Sequence, residues 1–131
     1  DQLWATAHGP SAHDEINRIV AGQNYGWPTI TGKQTRAGMV TPVAESGTDT
    51  WASSGAAIYN DALYFAGLRG QALYKFEVRN LKFAEKLKNK YGRLRDVVLG
   101  PDNMLYLLTS NRDGRGQPQA GDDKILKVPI L

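Results

Sequence analysis

The sequence predicts an all-β fold made of repeated hairpins of the kind that stack as β-propeller blades. Three observations carry that prediction. The apolar period is mostly two, in short aromatic and β-branched runs such as "AAIYNDALYFAGL" and "MLYLLTS", broken by Asn, Asp and Gly. Such runs mark strands and hairpin turns. One hairpin grammar recurs three times along the chain. The Asp residues that open the three repeats, Asp1, Asp61 and Asp102, stand 60 and 41 positions apart, a spacing suited to blades.

The elements follow in order. The first hairpin, "DQLWATAHGPSAHDEINRIV", begins as a strand carrying Trp4 and ends in a strand with Arg18 between Asn17 and Ile19. The second, "DALYFAGLRGQALYKFEV", has Tyr64 in its first strand and Lys75 between Tyr74 and Phe76 in its second. The third, "DNMLYLLTSNRDGRGQPQAGDDKILKVPI", has Tyr106 and then Lys127 between Leu126 and Val128, with a long variable loop between them. Between the second and third lies "KFAEKLKNKYG", which by propensity fits a short helix capped by Gly92. Its strand neighbours favour a strand instead. Three unrelated hairpins of a β-sandwich would share the periodicity but have no reason to share the grammar.

Composition narrows the function. At 131 residues, 41% hydrophobic and 22% charged, the chain has the make-up of one ordinary globular domain. The absence of cysteine excludes a thiolate nucleophile, a disulfide framework and thiolate-bound zinc, but leaves the compartment open. No apolar run approaches the roughly 18 residues of a membrane span, and the opening "DQLWATAHGP" is expected to be a strand. The net charge is +3, and the only dense basic run holds Lys82, Lys86, Lys88, Lys90, Arg93 and Arg95. No nucleic-acid-binding signature accompanies it, so nucleic acid is not an expected partner.

Two stretches hold the candidate chemistry. In "HGPSAHDEINRI", His8 and His13 are five apart across Gly9-Pro10, which breaks the i, i+4 helical spacing of a zinc pair. Gly9 and Pro10 can turn consecutive carbonyls toward one point, as a hard cation such as Ca²⁺ requires, although a plain Gly-Pro turn also fits. Asp14 and Glu15 alternate along a strand and face opposite ways, so they make a poor acid/base dyad. Trp27-Pro28, after Gly26, reads as packing. In "RLRD", Arg93 and Arg95 point to one face of a strand and Leu94 to the other. Paired guanidinium forks suit carboxylates, and they also suit a solvated strand face.

Taken in order, "HGPSAHDEINRIVAGQNYGWP", "ASSGAAIY", "LRGQALYKF" and "RLRDVVLGPDNMLYLLT" resemble the carboxy-terminal half of the soluble quinoprotein glucose/sorbosone and aldose sugar dehydrogenases. The resemblance runs from Leu3 to about Val128, and its most specific part is the G-P-x(3)-D-E-I-N run followed by N-Y-G-W-P. It implies a six-bladed β-propeller of which this chain covers roughly the last three blades. The expected division is about 1–45 for the end of one blade with a calcium and quinone loop, 46–91 for the second blade and 92–131 for the last. The implied cofactors are pyrroloquinoline quinone (PQQ) and calcium. The resemblance places the carbonyls of Gly9 and Pro10 on the catalytic calcium and His8 beside the quinone. Glu15 and the Tyr25 carbonyl go to a second, structural calcium. Arg69, Arg93 and Arg95 grip the three carboxylates of the quinone, with Thr50 as a fourth contact. Some members carry Lys where this chain has Arg69.

The family's general base is a histidine in an earlier blade, and neither His8 nor His13 matches it. The implied reaction is removal of the sugar hydroxyl proton by that base with hydride transfer to the quinone, whose carbonyl calcium polarises. The expected partners are an aldose, an electron acceptor, and either the amino-terminal half of the propeller or a second copy. The expected setting is periplasmic or secreted. A non-catalytic propeller that binds a protein or glycan is the alternative, though such a scaffold has no need of a carboxylate clamp.

Overall fold

The computed structural model describes residues 2–131, which form two compact units meeting in sequence between Trp51 and Ala52. Among them no helix is long and apolar enough to cross a membrane. Every strand pairing is antiparallel. Asp1, the acid that opens the first repeat, lies outside the described residues.

The first unit holds one sheet. Strands β1 (Leu3–Ala7), β2 (Glu15–Ile19) and the short β3 (Ala44–Glu45) lie in that order. The segment between β2 and β3 is irregular and contains the N-Y-G-W-P run. Trp27 is 64% exposed there, so the packing role expected for it is not seen.

The second unit holds two sheets. The first runs β4 (Ser53–Tyr59), β5 (Ala62–Gly67), β6 (Ala72–Glu77), β7 (Lys82–Lys86) in order. The other is ordered β10 (Ile125–Val128), β9 (Leu105–Thr109), β8 (Leu94–Leu99). The β4–β5 hairpin turns on Asn60 and Asp61, both at positive φ (46° and 57°), as a two-residue primed turn demands. The "KFAEK" segment is strand β7, and Gly92 beyond it closes no helix. The apolar run of β5 is buried along its whole length, as expected of a strand covered on both faces. Between the two sheets lies the core, with Tyr64, Ala66 and Leu73 on one side and Leu94, Val97, Leu105 and Leu107 on the other. Fully burying each large side chain contributes about 1.5–3 kcal/mol, so this seam is the main source of stability in the unit.

Register explains the repeat grammar. Trp4 pairs with Arg18, Tyr64 with Lys75 and Tyr106 with Lys127, so each repeat sets an aromatic ring directly across from a cation. Lys75 lies 5.9 Å from the Tyr64 ring centroid and Lys127 5.8 Å from that of Tyr106. Cross-strand pairs of this kind, with a cation over a ring, each add about 0.5–1 kcal/mol. The opening acids differ in their partners: Asp102 binds Lys127 Nζ at 2.6 Å, whereas Asp61 binds Arg79 at 2.6 Å.

Hydrogen bonds from Lys127, Tyr106 and the Met104 amide hold the Asp102 carboxyl down at about 2, against an ordinary value of 3.8. A depressed carboxyl adds stability above its unfolded pKa and loses it as pH falls through the folded one. Asp102→Asn should therefore melt below the wild type at neutral pH, and the two curves should converge between pH 4 and 2. Thermal melts across that range test this; a constant difference down to pH 2 would contradict it.

Candidate functional site

In the first unit the loop between β1 and β2 is pinned by Asp14. Its buried carboxylate accepts the Gly9 N–H at 2.9 Å and the Trp51 N–H at 2.6 Å. A Cβ built on Gly9 would stand 1.7 Å from the Ala12 carbonyl oxygen, so the loop closes on itself only because residue 9 is glycine. Thr50 joins the same loop by donating its hydroxyl to the Ser11 carbonyl at 2.6 Å. To donate to a cofactor carboxylate, Thr50 must first give up that bond. Asp14 and Glu15 do face different surroundings, which rules out a dyad.

The two histidines separate. His13, in the left-handed region (φ 60°), places Nδ1 2.8 Å from Glu45 Oε2. Burial pushes the Glu45 carboxyl up, but hydrogen bonds from His13 and the Gly47 amide outweigh it and hold the group below the usual carboxylate range. His8 is exposed at the mouth of the loop. No cluster of three His, Cys, Asp or Glu able to hold a metal occurs among the described residues, so a cation here would need amide or carbonyl oxygens beside any single carboxylate.

The surroundings of Glu15 meet that requirement. Glu15 Oε1 accepts the Gly32 N–H at 2.9 Å, and Oε2 accepts Asn17 Nδ2 at 3.1 Å. Asn17 is 4% exposed, and its Oδ1 has no hydrogen-bond partner. A buried acceptor left unmatched costs about 1–3 kcal/mol. Beside a carboxylate two residues along the same strand face, a hard cation is its natural complement. Tyr25 fixes the following turn, its hydroxyl accepting the Val20 N–H and donating to the Arg18 carbonyl, both at 2.8 Å. The Glu15 carboxylate and the unmatched Asn17 oxygen are donors of the kind a hard cation takes.

The second unit holds the arginines. Arg93 immediately precedes β8, and its N–H donates to Asn111 Oδ1 at 2.9 Å. Its Nε and Nη2 both reach Asp113 Oδ2, at 3.1 and 2.9 Å, and Nη1 reaches the Leu68 carbonyl at 3.4 Å. Arg95 lies where the β8–β9 register shifts between Leu94 and Asp96, and its Nη2 meets the same Asp113 oxygen at 3.2 Å. The two guanidiniums thus converge, as the spacing predicts, but through a bulge rather than simple alternation. They are not equally open: the Arg93 side chain is 10% exposed and that of Arg95 47%. Of the two, only Arg95 presents its side chain to solvent. Arg69 is exposed on the β5–β6 turn next to Leu68, whose carbonyl ties that turn to Arg93.

Asp113, absent from the sequence reading, is the counter-ion of the cluster. The Arg115 amide and Arg93 hold its carboxyl below the usual range. Two guanidiniums against one carboxylate leave a surplus of one positive charge in the cluster, with exposed Arg69 on the turn that the Leu68 carbonyl ties to Arg93. Such a surplus, with one arginine held rigid and two exposed, is chemistry for a polycarboxylate. Asn111 and Asp113 fall in the loop read as variable; the one available signal was that paired arginines need a nearby acid.

The family model described as Glucose / Sorbosone dehydrogenase matches residues 1–126. Aldose sugar dehydrogenase YliI of Escherichia coli (strain K12) is 34% identical over 135 residues, covering 86% of this chain and 36% of that protein. Quinoprotein glucose dehydrogenase B of Acinetobacter calcoaceticus is 46% identical over 37 residues, 28% of this chain and 8% of that protein. The solved PQQ-bound form of the aldose sugar dehydrogenase from Streptomyces coelicolor matches with a TM-score of 0.90 and 40% identity, over 98% of this chain and 40% of that one. The three sheets are those of a partial propeller, and the chain spans well under half the length of these relatives.

Proposed function

Because this chain belongs to the glucose/sorbosone dehydrogenase family, we propose that it supplies the carboxylate clamp and calcium ligands of a PQQ-dependent dehydrogenase that oxidises aldoses to lactones. The observation that carries the proposal is the arginine cluster ordered by Asp113 and Asn111. When bound, the quinone accepts the two electrons leaving the sugar as hydride, and calcium acts as a Lewis acid on its carbonyl.

The residues of this chain bind and orient. Arg69 and Arg95, both exposed, offer guanidinium forks to the carboxylates of the quinone. Arg93, buried by Asp113 and the Leu68 carbonyl, sets the position of the cluster and adds its charge. The carbonyls of Gly9 and Pro10 are the proposed ligands of the catalytic calcium, with His8 beside the quinone and Thr50 nearby. Glu15 and the Tyr25 carbonyl are the proposed ligands of a second calcium, and the unmatched Asn17 oxygen supports that assignment. The base that takes the sugar hydroxyl proton is proposed to lie in an earlier blade, outside these residues. We place the enzyme in the periplasm or outside the cell, where it hands electrons to an external acceptor.

The full-length protein, given PQQ, calcium and an artificial electron-accepting dye, should oxidise aldoses, while residues 1–131 alone should not. Quinone binding without aldose oxidation by the full-length protein would instead favour a non-catalytic propeller.

A further inference from the structure

A hollow of about 310 Å³ opens in the second unit between three loops, with Gln71, Asn89, Lys90, Tyr91, Gln117 and Gln119 around it. Its floor is rigid. Asn111 Nδ2 donates to the Tyr91 carbonyl at 2.9 Å and to Asp122 Oδ2 at 3.0 Å, and the Gln119 N–H donates to the same Asp122 oxygen at 2.7 Å. The Asn89 N–H joins the Gln71 carbonyl at 2.8 Å, so the loops are tied to one another. The Asp122 side chain is only 2% exposed and is balanced by Lys124 Nζ at 3.3 Å. Lys90, the remaining cation, lies 5.3 Å from the centroid of the Tyr91 ring.

What faces the hollow is mostly uncharged. The side-chain amides of Gln71, Asn89 and Gln117 make no hydrogen bond among the described residues, and that of Gln119 reaches only the Gln117 carbonyl, at 3.5 Å. Each amide offers an acceptor beside a two-proton donor, the pairing that neighbouring hydroxyl groups require. A phosphate or carboxylate site would show several converging cations or a cluster of amide N–H groups, whereas here, among the described residues, Lys90 alone has no carboxylate partner and lies against the Tyr91 ring; a lipid site would show apolar walls. Four amides and a tyrosine around a charge-balanced floor match a neutral polyol. The volume lies at the small end of ligand pockets, which run from ~300 to 1,000 Å³, and suits one sugar ring.

We propose that this hollow is an accessory carbohydrate subsite that takes one pyranose ring. Asn111 belongs to both places: its Oδ1 holds the Arg93 N–H and its Nδ2 holds the floor of the hollow. The ring bound here is then a distal unit of a longer sugar substrate, a reading that rests on the dehydrogenase assignment above.

The test uses the full-length protein without quinone, so that nothing turns over, and methyl maltoside, which has no free anomeric hydroxyl to oxidise. Titration calorimetry should show saturable binding, weakened about fivefold or more by Gln117→Ala combined with Gln119→Ala, the loss of roughly one hydrogen bond's worth of affinity. Those side chains carry no structural bond stronger than 3.5 Å, so the melting temperature should not move. In the loaded enzyme the same variant should raise KM for maltotriose and leave KM for glucose unchanged. No saturable binding by the wild type, or equal binding by the variant, would overturn the subsite. Failure of the dehydrogenase assignment reads differently: glycoside binding would persist while PQQ-dependent oxidation was absent.

Discussion

Replacing Arg93 by alanine should weaken quinone binding by the full-length protein about tenfold or more and also lower its melting temperature. Charge-assisted hydrogen bonds contribute about 1.5–3 kcal/mol, and 1.4 kcal/mol is a factor of ten in affinity. The stability loss has a separate cause. Arg93 is buried between Asp113 and the Leu68 carbonyl, and its removal takes two hydrogen bonds from Asp113 and one from Leu68 and empties the space its side chain fills. That costs about 1–3 kcal/mol, or a few degrees in Tm. Arg95→Ala should weaken quinone binding comparably while leaving the melting temperature near wild type, because Arg95 is half exposed and Asp113 keeps its other donors. Equilibrium titration of quinone fluorescence or absorbance, alongside thermal melts, separates the two effects. Unchanged quinone affinity in both variants would return the pair to an ordinary structural ion cluster.

Gly9→Ala should abolish calcium-dependent quinone uptake. Its Cβ would fall 1.7 Å from the Ala12 carbonyl oxygen and 2.9 Å from the His13 carbonyl carbon, both backbone atoms that cannot rotate away. The loop must open, and with it goes the Gly9 N–H bond to Asp14 that orients residues 9 and 10. Steric strain against fixed backbone belongs with the most damaging single changes, at about 3 kcal/mol or more. Chelation followed by stepwise return of calcium should restore quinone binding in the wild type and not in the variant. A variant that regains full uptake at wild-type calcium concentrations would show that this turn does not hold the ion.

Much of the scaffold was legible because its signals are periodic. Trp4, Tyr64 and Tyr106 recur with Arg18, Lys75 and Lys127 because hairpin register sets each ring across from a cation. Gly9 was legible as a place that needs glycine, but the reason is the close approach of the Ala12 carbonyl and not an unusual φ. What escaped lies in contacts between loops, which leave no period in the sequence. Asp113 sits 20 positions from Arg93, in a stretch that reads as spacer, yet one of its oxygens binds both arginines. Asp14 looked like half of an adjacent acid pair, but its place is beneath the loop, bound to the amides of Gly9 and Trp51. Trp27, read as packing, is exposed, since an irregular segment gives its side chains no fixed inward face. The unmatched Asn17 oxygen is invisible until burial is known.

The most direct measurement is equilibrium dialysis of the full-length protein against PQQ, with and without calcium. Saturable binding of one quinone per chain is expected in calcium, lost on chelation and weakened in Arg93→Ala and Arg95→Ala. Absence of saturable binding in calcium, or binding indifferent to calcium and to both arginines, would contradict it.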